Sequence, residues 1–173
     1  EQFFDRLREN NFLYVDKTEQ IYKLMQVGAL VFLSRPRRFG KSLLTTTLKA
    51  IVQGKRELFQ GLWIEDKVDW QPAPVILINF NDVSYRTQPL VQGLSHYLDN
   101  LARDYDLALT GNDPKEKFLE LISRLSVHGK ITLLIDEYDK PITDLLENAE
   151  KVQENVDTLK DFYAVLKSSA AQH

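Results

Sequence analysis

Residues 32–44 read FLSRPRRFGKSLL, and the architecture of the chain follows from how that stretch is understood. Its Gly40-Lys41-Ser42 triplet has the composition of the closing end of a phosphate-binding loop. In such a loop, unpaired amides at a helix start and the helix dipole hold a polyphosphate, a lysine neutralises its outer phosphates, and a hydroxyl binds the accompanying metal. Gly40 lets the backbone come close, Lys41 can reach the β- and γ-phosphates, and Ser42 can bind magnesium. Arg35 occupies the position where the general pattern has its first glycine, so the turn there must avoid positive φ or carry strain. Pro36 removes one donor on the entering limb only. The candidate nucleotide-binding residues are therefore Arg37, Arg38, Phe39, Gly40, Lys41, Ser42 and Leu43. The arginines read either as extra charge around the phosphates or as a solvated surface cluster.

The flanks decide whether the triplet is meaningful. Before it, Ala29-Leu30-Val31-Phe32-Leu33 is a short apolar run that reads as a buried strand. After it, Leu44, Leu48 and Ile51 recur at the spacing of a helix packed on a sheet, and Gly54 ends that helix. Upstream, Asp16 and Glu19 form a capping pattern for a helix carrying Ile21, Leu24 and Met25 on one face and stopped by Gly28. A second strand spans 75–80, apolar on both faces as in the middle of a parallel sheet. A helix with Leu90, Leu94, Tyr97, Leu98 and Leu101 follows. Asp113-Pro114-Lys115-Glu116 opens another, burying Phe118, Leu121, Ile122 and Leu125. A third strand spans 131–136, and a helix over 152–167 presents Val156, Leu159, Tyr163 and Leu166. Strands alternating with helices predict an α/β fold with a parallel sheet, in which ligands bind beyond the carboxyl ends of the strands.

The third strand ends in a pair of acids, LLIDEYDKP over 133–141. A carboxylate at a strand end beside a phosphate loop can hold magnesium, and a second one next to it can polarise an attacking water. Asp136 is thus the metal candidate with Ser42, and Glu137 the general base acting with Lys41 as the catalytic pair. The plainer alternative is that acids merely mark the end of a buried strand. Asp139 reads equally as a supporting acid or a turn residue before Pro141, and Asn79, Asn81 and Asp82 read as turn formers.

Composition narrows the remaining classes. A net charge of −3 gives no general attraction to nucleic acid or anionic lipid, so any basic function must be local to the arginine cluster. The absence of cysteine excludes disulfides, zinc–thiolate sites and thiol nucleophiles. His96, His128 and His173 have no metal-ligand spacing. No apolar run reaches the roughly 18 residues of a membrane span and no signal peptide is visible, so no membrane partner and a cytoplasmic location are expected.

Taken together, SRPRRFGKS over 34–42 and LLIDEYDKPI over 133–142 resemble the bacterial AAA-ATPase-like family. The strings LRENNFLYVDKT (7–18), GKRELFQGLWI (54–64) and LKDFYAVLK (159–167) fit it as well, so the resemblance runs over essentially the whole chain, 1–173. The arginine-proline entrance looks like this family's own version of the loop. The resemblance implies an AAA-like P-loop NTPase core, with ATP and Mg²⁺ as ligands and ATP hydrolysis as the activity. It places the family's roles on Lys41 and Ser42 in the loop and on Asp136 and Glu137 after the third strand. By analogy, YVDKT (14–18) forms part of the adenine wall. It also implies that 1–173 is the N-terminal part of an ATPase module, ending before a sensor strand; the start at Glu1 without methionine separately suggests a fragment or a processed chain. Partners compatible with it are a second copy, or nucleic acid reached through a nuclease-like C-terminal domain. A non-catalytic nucleotide-responsive switch and a nucleic-acid-associated module are the competing readings.

Overall fold

The computed structural model describes residues 3–27, 31 and 40–170. These divide into two compact units, one drawn from 1–77 and 130–136, the other from 78–129 and 137–173. The strand expected over 29–33 lies outside the described residues apart from Val31. The described part is a mixed α/β structure whose sheet pairs two parallel strands, β1 (Val75–Asn79) and β2 (Thr132–Asp136).

The first unit is organised by three helices, α1 (Phe4–Glu9), α2 (Thr18–Met25) and α3 (Lys41–Val52). Its core gathers Phe4, Ile21, Ala50, Ile51, Leu58, Phe59 and Ile64. The Phe4 and Phe59 rings lie 4.6 Å apart, and Phe59 meets Trp70 at 5.0 Å. Polar ties fix α1 beside this core. The Phe4 amide donates to Thr46 Oγ1 of α3 at 3.2 Å, and Arg8 donates to the carbonyls of Leu58 and Gln60, each at 2.7 Å. At the other end of α3, the Ala73 amide bonds the Val52 carbonyl at 2.9 Å and so sets the approach to β1.

Asp16 does not cap α2 in the manner its sequence suggested. Lys17 is the N-cap residue and no side chain caps the helix. Asp16 instead accepts from the amide and hydroxyl of Thr18, at 2.8 and 2.7 Å, and from the distant Trp63 amide at 2.7 Å. A carboxylate with two acceptor oxygens can serve both a local turn and a remote segment, and the remote donor outcompetes the local box. The helix also ends at Met25, before Gly28.

In the second unit, α4 (Leu90–Arg103), α5 (Pro114–Ser126) and α7 (Ala149–Ala170) surround a core of Leu90, Leu94, Leu98, Phe118, Leu121 and Phe162. Phe118 and Phe162 stack at 4.6 Å, and a Lys117–Asp99 ion pair joins α5 to α4. The start of α5 follows its sequence pattern closely. Asp113 Oδ1 accepts from the Glu116 amide at 2.8 Å, while Glu116 reaches back to the Asn112 amide, one residue earlier than a simple capping box requires. The buried stripe of α7 is Asn155, Leu159, Phe162 and Val165 rather than the expected Val156, Tyr163 and Leu166. Val156 and Tyr163 line a groove with Tyr138 and Ile142.

Two consequences are measurable. A Cβ added at Gly93 of α4 would stand 1.8 Å from the Ser84 carbonyl oxygen, a backbone atom that cannot swing aside. Gly93→Ala is expected to destabilise the protein by about 1–3 kcal/mol, seen as a lower urea midpoint at unchanged slope. An unshifted midpoint would show that α4 and Ser84 separate freely. For Asp16, burial pushes the pKa up, but the Trp63 and Thr18 amides and the Thr18 hydroxyl together outweigh it and hold it below 3.8. A lowered folded-state pKa gives stability that is complete above 3.8 and fades as pH falls through the folded value. Asp16→Asn should therefore flatten that part of the acid limb of a stability–pH curve, whereas an unchanged limb would mean the ties carry no net stabilisation.

Candidate functional site

The site is built on the first turn of α3. Gly40 is its N-cap residue, with φ 76 and ψ 21, and no side chain caps the helix. Among the described residues nothing lies within 4 Å of where a Cβ would sit, and the positive φ by itself favours glycine here. The first intrahelical bond runs from the Leu44 amide to the Gly40 carbonyl at 2.9 Å. The amides of Lys41, Ser42 and Leu43 therefore precede the ladder, and at an uncapped helix start such donors suit an anion.

Three consecutive threonines follow, an unusual choice inside a helix because β-branched side chains crowd the preceding turn. Their hydroxyls bond back to the carbonyls of that same first turn. Thr45 donates to Lys41, Thr47 to Leu43 at 2.7 Å, and Thr46 to Ser42 at 3.0 Å. The turn that carries Lys41 and Ser42 is thus held from below by side chains. Sequence reading passed over these threonines, although their density in a helix was the available signal.

Ser42 Oγ donates to Asp136 Oδ2 at 2.8 Å across 94 residues of sequence. Asp136 is only 6% exposed and stands at the carboxyl end of β2. A hydroxyl and a buried carboxylate at this distance form a small oxygen cluster at the helix start. Magnesium typically takes one or two carboxylates and completes its shell with phosphate oxygens and water. The Ser42–Asp136 donor set fits that habit. Among the described residues no group of three or more His, Asp or Glu side chains forms an all-protein metal cage.

Lys41 is half-buried and forms no ion pair among the described residues. Leu43 is also half-buried and packs on the core of its unit. Glu137 follows Asp136 directly and falls in the second unit. Its φ is 54, a left-handed conformation that costs a non-glycine residue roughly 1–2 kcal/mol. Strain of this kind persists where surrounding structure enforces it, and it gathers at working sites. The Lys140 amide closes the turn onto the Glu137 carbonyl at 3.1 Å. Arg37, Arg38 and Phe39 lie outside the described residues, as do Arg35 and Pro36.

The neighbouring strand end behaves as turn chemistry. Asn79 Oδ1 accepts from the Asn81 amide at 3.0 Å, and the Asp82 amide bonds the Asn79 carbonyl. Within 14–18, Tyr14 packs edge-on against Phe4 at 5.1 Å and Thr18 is fully buried. Val15, 67% exposed, is the apolar side chain of that string left open to solvent.

A family model described as "Predicted AAA-ATPase" matches residues 2–173. The chain belongs to that family. This AAA-ATPase-like chain is also 38% identical over 175 residues to "Uncharacterized protein in vnfD 5'region" of Azotobacter chroococcum mcd 1. The match covers 98% of this chain and 34% of that protein, so the chain spans about a third of that relative's length. No solved structure matches it. Family membership supports nucleotide use by this AAA-ATPase-like chain. No described helix is long and apolar enough to cross a membrane.

The Ser42–Asp136 bond can be weighed directly. Ser42→Ala removes the donor and leaves a buried carboxylate short of one partner, so a loss of about 1–3 kcal/mol in unfolding free energy is expected. Ser42→Thr keeps the hydroxyl and should stay within about 0.5 kcal/mol of the parent. Equal losses in the two variants would show that the hydroxyl is not what matters.

Proposed function

We propose that this chain binds ATP with magnesium and hydrolyses it. The observation that carries the reading is the 2.8 Å bond between Ser42 of the GKS triplet and Asp136 of the strand-end acid pair. Two motifs chosen separately from the sequence contribute to one oxygen cluster at a helix start. Chance placement of a hydroxyl and a carboxylate has no reason to deliver that.

In this reading the amides of 41–43 and the dipole of α3 hold the phosphates, and Lys41 neutralises charge on the outer ones. Ser42 and Asp136 would hold magnesium, which would supply positive charge to stabilise the phosphates. The threonine hydroxyls keep the first turn of α3 rigid, so the donors are aimed before the ligand arrives. Glu137 accepts the proton of the attacking water. The arginines at 35, 37 and 38 add charge at the same loop.

Turnover of ATP measured with Lys41→Ala and Glu137→Gln tests the assignment. Each change is expected to lower the Mg²⁺-dependent rate at least tenfold, or about 1.4 kcal/mol. Glu137→Gln should leave nucleotide affinity within a few-fold, because it alters only the proton acceptor. A parent protein that binds ATP in calorimetry and never turns it over would instead be a nucleotide-responsive switch. Failure to bind any nucleoside triphosphate would remove both readings.

A further inference from the structure

Glu137 sits in a strained conformation, and the structure shows what lies immediately downstream of it. The turn at 137–140 leads into α6 (Lys140–Thr143), a helix of 4 residues. So short a helix has too few internal bonds to hold itself together, let alone to hold a strained neighbour. Two side-chain ties grip it. Asn155 of α7, only 5% exposed, donates from Nδ2 to the Pro141 carbonyl at 2.7 Å. At the other end, Asp144 is the C-cap residue of α6, and its Oδ2 accepts from the Tyr85 hydroxyl at 2.8 Å and from Arg86 at 2.6 Å.

Neither tie is explained by core packing. Asn155 occupies the buried stripe of α7, where an apolar side chain would fill the same space without needing a partner. Tyr85 is 6% exposed yet spends its hydroxyl on a carboxylate rather than on solvent. Burial first, and the Asp144 contact next, push the Tyr85 phenol up to about 12, so it stays a donor. Arg86, and then Tyr85, hold the Asp144 carboxyl below its usual range, so it stays an ionised acceptor.

We infer that Asn155 and the Tyr85–Arg86–Asp144 group are positioning residues for Glu137: by pinning both ends of α6 they keep the preceding turn left-handed and its carboxylate in working orientation. The inference rests on the role proposed above for Glu137. A left-handed glutamate relaxes to an ordinary conformation unless the chain after it is fixed, and these ties are what the second unit provides there.

The test pairs kinetics with amide exchange on the same variants. Asp144→Ala and Asn155→Leu are expected to lower kcat for ATP at least fivefold with KM within twofold, because phosphate binding is left intact. Amides of Lys140 and of Ile142 to Asp144 should exchange at least tenfold faster in both. Asp144→Asn, which keeps an acceptor of the same shape, should recover most of the loss and guards against misfolding of the alanine variant. Faster exchange with unchanged kcat would overturn the inference by making the ties purely structural. Unchanged exchange would overturn it too, because the ties would then not hold the turn. A parent protein without any turnover sinks the role of Glu137, and the exchange measurement then decides by itself whether the ties fix the left-handed turn.

Discussion

A buried carboxylate must have hydrogen-bond donors, and that demand organises the first unit. Asp136, at the end of β2, finds one in Ser42 on the opening turn of α3. Leaving such a group without a partner costs more than most single contacts gain, so the helix start and the strand end are held to each other. The rest of α3 then serves as a frame. Thr46 in its middle receives the Phe4 amide and with it α1, and the Val52 carbonyl at its end receives Ala73 and with it the approach to β1. One helix thus distributes the constraint imposed at its first turn.

The second unit solves a different problem, that of keeping an unfavourable local conformation. Its helices bury Phe118, Leu121, Leu159 and Phe162 in a core that has no need of polar members. Asn155 and Asp144 nevertheless spend hydrogen bonds on the short helix after Glu137. Stability and placement are handled by separate groups: apolar contacts make the unit cohere, and a few polar contacts determine the path of one turn. This arrangement suits a site that has to be rigid before its ligand binds.

Much of this was legible in the residues themselves. The strands over 75–79 and 132–136 follow from apolar runs, the start of α5 from Asp113 and Pro114, and the end of α3 from the turn before Gly54. Each is set by neighbours within a few positions. The buried face of α7 was not legible in the same way, because apolar residues cover a wide arc of that helix and the periodicity fits two stripes. Asn155 breaks the stripe that is actually buried, and only the Pro141 carbonyl explains why an amide belongs there. Asp16 likewise looked like a local cap until the Trp63 amide, far along the chain, claimed its second oxygen.

The sequence by itself determined the family, the two described strands and the longer helices, because these rest on local spacing, backbone preference and side-chain chemistry. Tertiary structure alone decided that Ser42 meets Asp136 and that Glu137 is left-handed. Those facts depend on which groups become neighbours once apolar surface is buried. A hydrogen bond across 94 residues has no local signature, since its energy exists only after the chain between has folded.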